Sequence, residues 1–348
     1  MTFIQGHPVN SLPARAGPFA VIVLPIVRYP RIWQANGRSI YNPFQTMETF
    51  APVLSVFLLL FTGVLLRKLN VLQQSDGRVI NSLIIYATVP ALAFGIFYGQ
   101  KLSWTLALVV LAGNVANIVS LLIARQVARP LRLSRPQTGA FMMAASFGNT
   151  TFMGIPVVDA AFHGDPQALV VAMMYSELAM SLPVYTLGLW LASKYGGSHA
   201  SIRDVVSPRR LPAIPAMALG ALLTPLAIPD AITGALERLG ACTLPLAMIS
   251  VGLMLSARSF EGNRGPILVA AAMKLFCMPV IMYAILTLFG VHGLARQVTL
   301  LQAGMPVSII AGVMAARGGS DGPFVAAVTL VTTLGSVVSL PLLLTIIR

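Results

Sequence analysis

"SFGNTTFMGIPVV", residues 146–158, lies inside a strongly apolar run, yet it is poor material for a continuous helix. Gly148, Asn149, Thr150 and Thr151 stand together, with Gly154 and Pro156 close behind. Gly is weak in a helix interior, Asn favours turns, and Pro removes an intrahelical hydrogen bond. A chain that breaks itself inside an apolar run must satisfy the freed backbone groups somewhere. That requirement organises the reading of the rest of the sequence.

The run belongs to a chain of 348 residues, 57% hydrophobic and 9% charged, with a mean hydropathy of +0.83. A soluble domain carries about 25% charged residues. The deficit, together with repeated apolar runs of about 20 residues, predicts an all-α integral membrane protein in a lipid bilayer. The runs are continuous rather than alternating, which argues against a β-barrel. The net charge of +13 does not indicate nucleic acid, because the basic residues are scattered through short loops between apolar runs. Cys242 and Cys277 both lie in apolar runs, so no disulfide framework is expected. His7, His163, His199 and His292 show no metal-ligand spacing, and no cofactor is expected.

Ten transmembrane helices are predicted, at 50–66, 79–98, 102–124, 138–161, 167–191, 212–229, 238–256, 266–289, 296–316 and 323–347. One set of loops, starting with that between the first two spans, holds fourteen Lys and Arg residues; the opposite set, counting Arg348, holds four. The positive-inside rule puts the richer side in the cytoplasm and both termini outside, with a bacterial inner membrane as the expected location. Arg15, Arg28, Arg31 and Arg38 of residues 1–46 would then sit on the wrong side. Met47 is therefore expected to be the natural start, with 1–46 a disordered or mis-assigned extension.

"YATVPALAFGI" in the second predicted span and "ACTLPLAMISVG" in the seventh have prolines 155 residues apart, Pro90 and Pro245. "SLPVYTLGL" and "SLPLLLTII" have theirs, Pro183 and Pro341, 158 apart. The near-equal offsets suggest two five-helix copies, 47–211 and 212–348. An odd number of spans per copy inverts one copy relative to the other, an arrangement found in secondary transporters. The offset of 158 also sets Gly148 against Pro306 in "LLQAGMPVSIIAGV" of the ninth span. Two helices broken at corresponding places point to a transport site, because half-helix N-termini offer N–H groups and a positive dipole end to an anion.

"GNTTFMGIPVV" resembles the fourth-span signature of the auxin efflux carrier family, in which a pattern like PNTxxMGIPLL is typical. "QAGMPVSIIAGVMAARGGSD", "VPALAF" and "SLPLLL" fit the same family, and the likeness covers 47–348. The resemblance implies ten helices, a scaffold domain, a transport domain in which helices 4 and 9 cross, and a fold akin to the bile acid–sodium symporters and sodium–proton antiporters. Bacterial members of the family carry small carboxylates such as malonate or malate. The resemblance further implies that Asn149 contacts the carboxylate, that Pro306 is the second crossover proline, and that a homodimer forms through the scaffold. One departure stands out: Gly148 occupies a position where proline is usual.

The expected substrate site is therefore Gly148, Asn149, Thr150, Met305, Pro306 and Val307, serving a small organic anion by alternating access. Ionisable residues inside spans are functional candidates. Glu177, about ten residues from either end of its span, suits proton uptake and release. Lys274 pairs with Glu177, attracts the anion or snorkels, and with Glu177 and Asp159 it makes up the candidates for ion coupling. Asp159 lies near the outer end of its span, where a solvated helix-end role is favoured. Asn114 and Asn117 are expected to hydrogen-bond between helices. The coupling ion is expected to be a proton. The alternative is a sodium-coupled carrier of another organic solute, with Thr150, Ser181 and Ser308 as ligands. No paired aspartates, metal spacing, Ser–His constellation or phosphate loop suggests an enzyme or an ATPase.

Overall fold

The computed structural model describes residues 43–100, 102–198, 211–255 and 264–347. The expectation for 1–46 lies outside these residues except at its last four positions, which open the first helix, α1, Pro43–Lys68. After it come α2 (Asp76–Phe97) and α3 (Trp104–Ala128). Next are α4 (Arg135–Ser146), α5 (150–161) and α6 (Pro166–Gly196). Then follow α7 (Ala213–Leu222), α8 (Asp230–Met254) and α9 (Arg264–Leu288). The last are α10 (Gly293–Ala303), α11 (Ile309–Arg317) and α12 (Gly322–Ile347). Among the described residues the fold is helical throughout, and α2, α3, α6, α8, α9 and α12 are each long and apolar enough to cross a membrane. Their outward side chains suit lipid: Val280 is 68% exposed, Leu288 81% and Ile346 79%.

Three predicted spans differ in form. The fourth is two helices, α4 and α5, separated at 147–149, and the ninth is α10 and α11, separated at 304–308. The sixth holds only the ten residues of α7. Pro225 and Pro229 follow it closely, and the residue before a proline is driven out of the helical region.

Two sets of packed helices draw on both halves of the sequence, and α1 also packs on α5 and α12, joining them. In the first, α1 lies along α8, while α2 packs on α7 and α8. Gly63 and Gly252 set the α1–α8 approach, because a Cβ on either would strike backbone of the other helix. Small residues at such crossings let helices meet closely where lipid offers no hydrophobic drive. Arg67 fastens the same pair by donating from Nη1 to the carbonyls of Leu253, at 2.8 Å, and Leu255. In the second group α3 packs on α4, α6 and α9, and α12 on α4, α9 and α11.

Widened π-helical turns mark the prolines. Four of them, Ile84–Thr88, Thr150–Gly154, Tyr175–Ser181 and Met273–Cys277, end two residues before Pro90, Pro156, Pro183 or Pro279, and a fifth, Val184–Gly188, directly follows Pro183. A proline ring clashes with the carbonyl four residues back, and a wider turn moves that carbonyl aside. For Pro183 that carbonyl belongs to Ala179, and Asn117 Nδ2 donates to it across the α3–α6 interface at 2.6 Å. Asn114 Nδ2 similarly reaches the Leu178 carbonyl at 3.3 Å. The helix–helix hydrogen bonds expected of Asn114 and Asn117 are thus present.

Candidate functional site

α4 opens with a capping box, in which Ser134 and Gln137 satisfy each other's backbone N–H groups. It ends where Phe147 turns extended, at φ −91° and ψ 121°. The chain then runs antiparallel to the break between α10 and α11, with Gly148 opposite Val307. Asn149 N–H donates to the Pro306 carbonyl at 2.7 Å, and Ser308 N–H donates to the Phe147 carbonyl at 3.0 Å. Two more bonds complete the join: Gly148 N–H to Met180 Sδ at 3.3 Å, and Val307 N–H to Thr332 Oγ1 at 3.1 Å. Each break therefore supplies backbone partners to the other. An unsatisfied buried amide would cost about 1–3 kcal/mol, so the two breaks stabilise one another.

The join has a polar side. Gly148, Asn149 and Thr150 line a cavity of about 10 Å³ together with Ser181 and Ser308. Asn149 is 4% exposed, and among the described residues its side chain has no hydrogen-bond partner. The starts of α5 and α11 border the same space, and the first N–H groups of a helix lack intrahelical acceptors. Met305, Pro306 and Val307 are buried and make the second strand of the join, but they do not line this cavity.

A second cavity, of about 30 Å³, adjoins the first through Thr151, Phe152, Ser181 and Ile310. Glu177 lines it, 4% exposed, and accepts a hydrogen bond from Thr151 Oγ1 at 3.0 Å. Thr151 Oγ1 also lies 3.4 Å from Ser181 Oγ. The opposite wall is built by Ile85 and Val89 of α2 and by Leu211, Pro212 and Ala213 at the start of α7. The polar centre thus reaches the seam between the two helix groups.

Lys274 and Glu177 do not pair. Fully buried on α9, Lys274 donates from Nζ to the carbonyl of Ala303, the last residue of α10, at 2.7 Å. Asp159 is in the last turn of α5, ten residues beyond Asn149 and outside both cavities, in keeping with a helix-end role.

Residues absent from the expected substrate set also contribute. Thr151 lies two positions after Asn149 in the quoted run, and Ser181 lies four after Glu177, on the same helix face. Gln302, fully buried, donates to Ser176 Oγ at 3.3 Å while its Oε1 has no hydrogen-bond partner among the described residues. It rests against Gly154, where any side chain would collide with its amide.

Apolar helices of spanning length around a polar centre built from two interrupted helices are the construction of a membrane transport protein. Residues 48–344 match the membrane transport protein family, and the chain belongs to that family, the auxin efflux carriers. An uncharacterized transporter of Methanothermobacter thermautotrophicus is 31% identical over 301 residues, covering 85% of this chain and 97% of its own length. An uncharacterized transporter of Methanocaldococcus jannaschii is 23% identical over 296 residues, covering 81% of this chain and 93% of its own.

Proposed function

We propose that this chain is a secondary active carrier of small organic anions, mono- or dicarboxylates of the malonate and malate type. Alternating access operates around the join at Gly148–Asn149 and Met305–Val307. The observation that carries this reading is Asn149, a buried residue whose side-chain amide has no partner among the described residues, placed where two helix starts converge. A carboxylate there accepts hydrogen bonds from the amide and from Thr150 and the first N–H groups of α5 and α11. Glu177, tied to Thr151 beside the site, takes and releases the coupling proton. The ten spans form two inverted five-helix repeats in a bacterial cytoplasmic membrane, with both termini outside, and the carrier works as a homodimer.

Sodium coupling is the second reading. It is favoured by one observation: the hydroxyl-bearing residues Thr150, Ser181 and Ser308 all line the same small cavity. Uptake of labelled malonate or malate into proteoliposomes, under an imposed proton gradient and then a sodium gradient, separates the two. Accumulation driven by the proton gradient alone is expected. Uptake of neither acid under either gradient refutes the substrate class, and accumulation that needs sodium refutes proton coupling.

A further inference from the structure

We infer that Lys274 is a fixed counter-charge for the transported carboxylate, and that glycine at 148 exists to admit it. The inference rests on the anion-carrier reading above and adds to it a residue and a reason for an unusual sequence choice.

Lys274 projects from the π-helical turn of α9 into the place where the broken helices meet. Its Nζ holds the last carbonyl of α10, the negative end of that helix dipole. Among the described residues no carboxylate pairs with it, although the side chain is fully buried. A fully buried lysine amine with no acidic partner among the described residues is unusual, since a charge away from water is retained only when something of opposite sign compensates it. The carbonyl contributes part of that compensation. An anion bound at Asn149 contributes the rest.

Gly148 connects the two. It lines the cavity beside Asn149, and a Cβ placed on it would stand 3.1 Å from Lys274 Cε and 3.2 Å from Nζ. A side chain here would require the end of Lys274 to give way by a few tenths of an ångström, and glycine lets it lie against the join. Any side chain at 148 would crowd Lys274 Cε and Nζ and press them away from the join. Phe147, being extended, tolerates a following proline, but proline would also give up the Gly148 N–H bond to Met180 Sδ.

The test separates charge from packing. Lys274→Gln keeps a donor for the Ala303 carbonyl and removes the charge; Lys274→Met removes both. Malonate and malate Kd values are measured by calorimetry on purified protein in detergent, with Tm measured alongside. For Lys274→Gln a loss of affinity of roughly tenfold or more is expected, from removing one unit charge a few ångströms from the anion, with Tm held. Unchanged affinity in a folded Lys274→Gln protein overturns the inference while leaving the carrier reading intact. A wild type that binds none of the acids overturns both.

A ligand-free arm tests the matched pair. Gly148→Ala, which adds the Cβ and keeps the N–H bond to Met180 Sδ, is expected to lower Tm in the wild-type background and to lower it far less with Lys274→Met. Equal losses in the two backgrounds refute the steric link between the residues.

Discussion

Replacing Asn149 by alanine separates the site from the fold, because the two roles of this residue use different atoms. Its N–H donates to the Pro306 carbonyl and helps to hold the breaks together. Its side chain has no partner among the described residues and faces the small cavity. Asn149→Ala keeps the first and deletes the second, leaving no protein group orphaned. A stability cost of no more than about 1 kcal/mol is expected, which keeps Tm within about 4 °C of wild type. Binding is different. A hydrogen bond to a charged group contributes about 1.5–3 kcal/mol, so the malonate or malate Kd should rise roughly 13- to 160-fold. Calorimetry on detergent-solubilised protein measures Kd, and uptake into proteoliposomes at low substrate should fall in proportion. Asn149→Asp keeps the shape and adds a negative charge beside the carboxylate, so its loss should be larger still. The reasoning fails if Asn149→Ala folds normally and binds within twofold of wild type, for then the unpartnered amide faces the cavity for some other purpose.

Three further substitutions probe the surroundings. Glu177→Gln retains an acceptor for Thr151 Oγ1 and removes the proton-carrying group; proton-driven accumulation should be abolished while exchange across the membrane without a gradient persists, and full proton-driven uptake dismisses the coupling role. Asn117→Leu strips the Ala179 carbonyl of its donor beside Pro183, at a cost of about 1–3 kcal/mol, read as a fall in Tm of roughly 2–4 °C per kcal/mol. Gly252→Leu drives a side chain into the backbone of α1 near Leu60 and Val64, which should cost about 1–3 kcal/mol or more by overpacking and leave carboxylate affinity untouched in whatever protein folds.

The breaks were legible because their cause is local. Gly148, Asn149 and Pro306 disfavour helix wherever they stand, and their spacing from one half of the chain to the other marked them as partners. The structure joins them one residue along, with Gly148 opposite Val307. Glu177 and Lys274 were also visible, as charges inside apolar runs. Their partners were not, since whether Lys274 meets Glu177 or the Ala303 carbonyl depends on how α9 and α10 rotate against each other. Gln302 escaped notice for a related reason: an uncharged amide at the end of an apolar run carries no sequence signal until Gly154 is seen beside it. The shortness of α7 could have been anticipated from Pro225 and Pro229, which a hydropathy window averages away.

The size of the polar centre constrains how a carrier of this build can work. A cavity needs about 10–15 Å³ to hold one water molecule. The space beside Asn149 is about 10 Å³ and its neighbour beside Glu177 about 30 Å³. Neither admits a dicarboxylate, so a bound substrate requires the wall to move. The join itself is a poor place to yield, because loosening it would strand the amides of Asn149 and Ser308 in an apolar surrounding. The α2 and α7 side is different. Ile85, Val89, Leu211, Pro212 and Ala213 close the second cavity with apolar side chains, which offer Thr151 and Glu177 no side-chain hydrogen-bonding group. Access to the anion site is therefore expected to open along the seam between the helix groups, with the two broken helices, Lys274 and Glu177 moving together as one body. Crosslinking Val89 to Phe152 through introduced cysteines, in a background with Cys242 and Cys277 replaced, should arrest transport and be reversed by reductant. Undiminished uptake in the crosslinked protein would place the opening elsewhere.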